Sequence, residues 1–246
     1  MLASAPHTLQ EDVQNQLVEA IHQGYWKQGE VLPSEKALAL QYGVSLGTVR
    51  KALAELERLG VLVRRQGKGT FVASASQHLA ALRRRINWFV PDDPAMGSPV
   101  SRLVLFESIP APLRVIRLLG CQETDSVYHI RREAHYAGDD KVCIFDDTYL
   151  MQKDFPGLTE ELVQQSLGAG MYLMYARHYG YYVERMQDTA RAVLLNPIQA
   201  QKAGVSVPYP AISFRRLSLT GEGKIVELRY IVHVTLNQYM QLRYDS

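Results

Sequence analysis

From Leu9 the apolar residues Leu9, Val13, Leu17 and Ile21 return every fourth position, the spacing that lines them along one face of an amphipathic helix, with Gly24 placed to end it. After Gly29 the run Leu32-Pro33-Ser34-Glu35 opens a second helix. Pro33 holds the residue before it extended, Ser34 supplies a cap, and the Glu35 carboxylate favours the positive helix start. This helix runs to about Tyr42. Gly43 suits a left-handed turn, and Ser45 caps a third helix whose Val49, Leu53 and Leu56 share its buried side. Two short helices joined by a tight glycine-containing turn predict a helix-turn-helix.

The third helix ends near Leu59-Gly60. Val61-Leu62-Val63-Arg64-Arg65 and Thr70-Phe71-Val72 read as strands on either side of Gln66-Gly67-Lys68-Gly69, a two-stranded wing with a basic tip. Beyond Ala73 the periodicity dissolves into Ser, Ala and Gln, then Arg83-Arg84-Arg85, then Pro91-Asp92-Asp93-Pro94 and Gly97-Ser98-Pro99, punctuation that marks a connecting segment. The expected organisation is a winged helix-turn-helix over residues 1–75, mostly α with a β-wing, then a linker over 76–98 and a second domain over 99–246.

In the second domain strand-like runs at Arg102–Ile109, Ser126–Tyr136, Lys141–Leu150, Tyr182–Leu195, Ala211–Leu219 and Ile225–Thr235 alternate with helical stretches near 111–119, 159–166, 171–179 and 197–203. An α+β domain with a largely antiparallel sheet follows. No stretch nears the roughly 18 consecutive apolar residues that a membrane span needs, and the start lacks a basic segment followed by an apolar one. A cytoplasmic location without membrane attachment is expected. Cys121 and Cys143 stand apart, so neither a disulfide framework nor a zinc site is implied, and buried thiols are expected. No metal and no cofactor is expected.

The formal net charge of +2 says little, but its distribution says more. Residues 1–35 carry Glu11, Asp12, Glu19, Glu30 and Glu35 against Lys27, whereas residues 36–72 carry Lys36, Arg50, Lys51, Arg58, Arg64, Arg65 and Lys68 against Glu55 and Glu57. Positive charge is gathered where a phosphate-contacting surface requires it. In a helix-turn-helix the start of the second of the paired helices enters the major groove. Gly47, Thr48, Arg50 and Lys51 occupy that start and point away from the apolar face. Arg50 is the base-reading candidate, because a guanidinium bonds guanine O6 and N7 together. Lys51, Lys36 and Lys68 suit phosphates, and Gly67 and Gly69 let the wing backbone approach closely. A single basic helix reads most simply as a solvated face; the series of capped helices, glycine turn and basic wing is far rarer.

The stretches Gly29–Glu35, Tyr42–Ser45, Thr48–Leu53 and Gln66–Val72 resemble the DNA-binding domain of the GntR transcriptional regulators. The resemblance spans nearly all of residues 9–73. It implies that Lys36, Ser45, Gly47, Thr48, Arg50, Gln66, Gly67 and Lys68 face DNA. Members usually carry Arg after the Val-Ser pair, where this chain has Leu46. A changed base preference is expected there, since leucine touches a thymine methyl but cannot bond guanine. The remainder is more loosely similar to the effector-binding domain of the HutC branch, called UTRA, whose fold is like that of chorismate lyase. Ile130-Arg131-Arg132, Tyr149-Leu150 before Phe155-Pro156-Gly157-Leu158, Tyr172 ahead of His178-Tyr179-Gly180, and Glu227 carry it.

That second resemblance implies a homodimer and an effector pocket containing Arg132, Asp146, Tyr172, Glu227 and His233. Arg132 would pair with an anionic group, and Asp146 and Glu227 would accept from hydroxyls or an amine. Sugar-phosphate-binding members often place Arg and Ser where this chain has Ala134 and Gly170, which argues against a phosphosugar. A bland reading pairs Arg132 with Glu133 and packs Tyr172, Tyr175 and Tyr179 as a helix face. His7, His22, His78, His129, His135 and His178 show no ligand spacing and are expected to do no chemistry. The expected function is a repressor that holds an inverted-repeat operator as a dimer until a small metabolite releases it. An enzyme and a nonspecific DNA binder are the alternatives, but the chain has no Ser-His-Asp ordering, metal cluster or phosphate-cradling loop.

Overall fold

The computed structural model describes residues 8–74, 77, 89–167 and 170–241. Helix α1 (Leu9–His22) begins with a capping box between Thr8 and Glu11, α2 (Glu35–Tyr42) is capped by Ser34, and α3 (Leu46–Arg58) is capped by Ser45. Gly43 closes α2 at φ 64°, the left-handed conformation that the tight turn demands. Val13, Leu17, Leu38, Val49, Leu53 and Leu56 form the core of this domain. The wing pairs β1 (Leu62–Arg65) with β2 (Gly69–Val72), antiparallel. Backbone bonds Leu32 N to Thr70 O (2.8 Å) and Val72 N to Glu30 O (2.9 Å) tie the wing to the loop between α1 and α2. The wing therefore moves with the helices.

The second domain is built on six antiparallel strands in the order β4-β5-β6-β9-β8-β7: β4 (Val100–Pro110), β5 (Ser126–His135), β6 (Ile144–Met151), β7 (Arg185–Leu194), β8 (Pro210–Leu219) and β9 (Ile225–Val234). Alternation along the strands assigns the faces. Val127, Tyr149 and Leu228 lie under α4 (Leu113–Leu119), and Phe145, Ala211 and Val234 lie under α7 (Pro197–Ala203). On the opposite face Tyr128, Ile130 and Leu150 lie under α5 (Glu160–Ser166) and α6 (Met171–Met174), and Tyr175–Tyr179 continue α6 as a wider π turn.

The segment expected to be a linker contains short elements. Phe89–Pro91 form a strand, β3, that pairs antiparallel with β10 (Gln238–Met240), and Pro94–Met96 form a 3-10 turn before β4. Each of these strands has three residues, too few to show a period, and Pro91 reads in sequence as a breaker. Arg83-Arg84-Arg85, His7 and His78 lie outside the described residues. The cysteines are half-buried rather than buried. Cys143 Sγ donates to Ala134 O at 3.3 Å, and burial pushes its thiol up to about 12. Among the described residues no helix is long and apolar enough to cross a membrane, and no His/Cys/Asp/Glu group could hold a metal ion.

Candidate DNA interface and effector cavity

At the start of α3, Ser45 Oγ accepts from Thr48 N at 3.1 Å, fixing the entry of the helix. Ser45, Gly47, Arg50 and Lys51 are exposed there, Leu46 and Thr48 are half-buried, and Val49 opposite is fully buried. Lys36 is exposed on α2, and Gln66, Gly67 and Lys68 are exposed at the wing tip. All ten residues expected to face DNA are thus at the α2–α3 surface or the wing tip, and none lies in the core. Gly67 takes φ 71° at the tip, and Gly69 takes φ 112° with Val31 Cγ2 only 3.2 Å from where a Cβ would sit.

One residue of this surface was read from sequence only as a helix-start carboxylate. Glu35 Oε2 accepts from Arg50 Nε at 2.7 Å, and Glu35 Oε1 accepts from Arg64 at 3.0 Å. It ties the start of α2 to α3 and to the wing strand. Engaging Nε leaves the terminal nitrogens of Arg50 as the edge for an acceptor outside the protein.

In the second domain the face of the sheet under α5 and α6 carries polar residues in cross-strand rows. Arg132 on β5 stands opposite Asp146 on β6, and Asp146 opposite Ile231 on β9; one row further, Arg229 stands opposite Thr148 and Arg216. A cavity of about 220 Å³ opens over these rows, walled by Arg132, Asp146, Phe214, Arg216, Arg229 and His233, with Phe89 of β3 at its side. Arg132 donates to Asp146 at 2.6 Å, and Arg216 donates through two nitrogens to Asp188 at 2.8 and 2.7 Å.

Three of the five residues expected in the pocket, Arg132, Asp146 and His233, wall this cavity, whereas Tyr172 and Glu227 sit behind it. Glu227 is fully buried and accepts from Tyr172 (3.0 Å), Tyr175 (2.7 Å), Ser218 (2.8 Å) and Arg229 (2.8 Å). Burial alone would raise its pKa, but Arg229 and the hydroxyl donors outweigh burial and hold it below the usual carboxylate range. Its four partners make it the anchor for Arg229 rather than a ligand contact. The tyrosines are accordingly part of a packed helix face that ends in a polar bond, and burial raises both of their pKa values.

Arg132 pairs with Asp146 and not with its sequence neighbour Glu133, whose carboxylate lies with Arg102 and Lys202. Burial, with Arg216 adding to it, pushes His233 down to about 3, so its ring is neutral. Among the described residues Arg132 Nε, Arg229 Nε and His233 Nδ1 are shielded from solvent and have no hydrogen-bond partner. Phe89, Phe214, Arg216 and Arg229 were missed by sequence reasoning. The signal was present for the last two: arginines at core-facing alternate positions of apolar strands require a buried partner.

The family model described as bacterial regulatory proteins, gntR family, matches residues 9–72, and the UTRA domain model matches residues 95–236. An HTH-type transcriptional regulator of Mycobacterium tuberculosis is 32% identical over 206 residues, covering 83% of this chain and 74% of that protein. The HTH-type transcriptional repressor NagR of Bacillus subtilis is 25% identical over 224 residues, covering 91% and 89%. Among solved structures, the ligand-binding domain of a GntR-family transcriptional regulator from Bordetella bronchiseptica superposes with a TM-score of 0.58 at 25% identity, over 64% of this chain and 96% of that one.

Proposed function

Because this chain belongs to the GntR family of bacterial regulatory proteins and joins that DNA-binding domain to a UTRA domain, we propose that it is a cytoplasmic repressor whose dimer leaves its operator when a small metabolite enters the cavity over β5, β6, β8 and β9. It is a transcriptional regulator and not an enzyme. The observation that carries the reading is the division of labour between two faces: exposed cations and glycines at α3 and the wing, and a walled polar cavity in a separate sheet. Two α3 helices related by a two-fold axis would enter successive major grooves of an inverted repeat, with Lys68 and the wing amides on the backbone. Effector binding would favour an arrangement whose two heads no longer match the half-site spacing.

A fluorescence-anisotropy competition tests this. Purified protein is bound to fragments of the DNA upstream of its own coding sequence and challenged with unrelated DNA at fixed salt. A roughly thousand-fold or greater preference for one fragment is expected. Equal competition by unrelated DNA would leave a nonspecific binder.

A further inference from the structure

The His233 imidazole and the Phe89 phenyl lie parallel, 3.7 Å apart at 3°, and Phe214 meets both edge-on at 5.8 Å. The face of His233 is therefore already occupied by a ring of the protein itself. That ring carries no polar atom, although Nε of Arg132 and Nδ1 of His233, in the walls of the same cavity, have no hydrogen-bond partner, and Nε of Arg229 has only the Asp146 carboxylate at 3.7 Å. Unmet buried polar groups of this kind are costly to a fold. The open cavity of about 220 Å³ is also below the roughly 300–1,000 Å³ of ligand sites in general. Its shortest wall element is β3, three residues paired with the three of β10 and extended by the bond from Asp92 N to Asn237 O.

We propose that Phe89 is a built-in occupant of the effector's ring slot, and that the effector is a compact, flat, ring-bearing anion that displaces it from His233. The proposal rests on reading this cavity as the effector site. The anion takes the Nε–H of Arg132, which Phe89 leaves unmet, and draws the Nε–H of Arg229 from its 3.7 Å approach to Asp146, while Arg216 stays committed to Asp188. The ring stacks on His233, which is neutral and so suits a planar partner. Along the chain β3 is the first described strand after the wing, so displacement acts on the described strand of the sheet domain nearest in sequence to the reading head. Ejecting Phe89 loosens that strand at the moment the ligand enters, so binding and the change in β3 become one event.

Calorimetric titration of the full-length protein, its F89A variant and its F89L variant tests this with three probes. Benzoate has a flat ring and a carboxylate, cyclohexanecarboxylate has the charge on a puckered ring, and benzamide has the ring without the charge. Removing the competing ring should make F89A bind benzoate about ten-fold more tightly than the parent, with F89L between them. Both other probes should bind at least ten-fold more weakly than benzoate. Weaker benzoate binding by F89A would make Phe89 a clasp and overturn the proposal, and equal binding would remove it from the slot. Absence of benzoate binding to F89A would overturn the ligand class. Operator preference measured on the same samples separates these failures from a failure of the repressor reading, which alone would abolish that preference in the parent protein.

Discussion

Glu35 holds Arg50 by Nε and Arg64 by a terminal nitrogen, and most of the Arg50 side chain stays exposed. An exposed pair of this kind contributes no more than about 1 kcal/mol to stability, so its value lies in aiming the guanidinium. E35Q should leave the denaturation midpoint nearly unchanged and lower the ratio of operator to random-DNA affinity several-fold, measured by anisotropy. An unchanged ratio would deny Glu35 a positioning role. Of the histidines expected to do no chemistry, His129 is held in an ion-pair cluster. His129 Nε2 lies 2.6 Å from Asp147 and Nδ1 lies 3.0 Å from Glu107. Asp147 raises its pKa against the opposing effect of burial, Glu107 adds to the rise, and Arg131 opposes it. A raised folded value stabilises fully below the ordinary His value near 6.5 and is lost as pH rises through the raised value. Urea denaturation should therefore show H129Q more destabilised at about pH 6 than at about pH 9; a difference independent of pH would contradict this assignment.

At the scale of elements, α3 depends on its first turn. Ser45 supplies the side-chain acceptor for Thr48 N, and S45A should cost about 1 kcal/mol of stability by denaturation. Such caps explain why the DNA-binding half was legible in the sequence. Ser34, Gly43, Ser45 and the apolar spacing of α1 and α3 act within a few residues, so local pattern and structure agree from Leu9 to Val72. The six long strands were legible as runs of eight or more residues rich in β-branched, aromatic and other apolar side chains. β3 and β10 were not, because three residues show no period and their pairing joins Phe89 to Met240 across the domain. The cavity was partly legible. Arg132, Asp146 and His233 were named by resemblance, as was Glu227, which sits behind the cavity, whereas Arg216 and Arg229 were passed over: their core-facing positions can be read in the sequence, but their adjacency is set by cross-strand register that no local window contains.

At the scale of the whole molecule, the two domains have separate cores, and Tyr182 from the second packs against the first. Loss of that contact should loosen the wing domain more than the sheet. By calorimetry Y182A should lower the transition of the helical domain by roughly 4–8 °C per kcal/mol lost and leave that of the sheet domain in place. A single transition shifted as a whole would show the domains to be one cooperative unit. The central claim is that α3 reads bases while the wing holds phosphates, and the direct measurement compares R50A and K68A on operator and random DNA at one salt concentration. R50A should lose about 1–3 kcal/mol on the operator and little on random DNA, while K68A should lose similar affinity on both. Equal losses for R50A on the two DNAs would contradict the account.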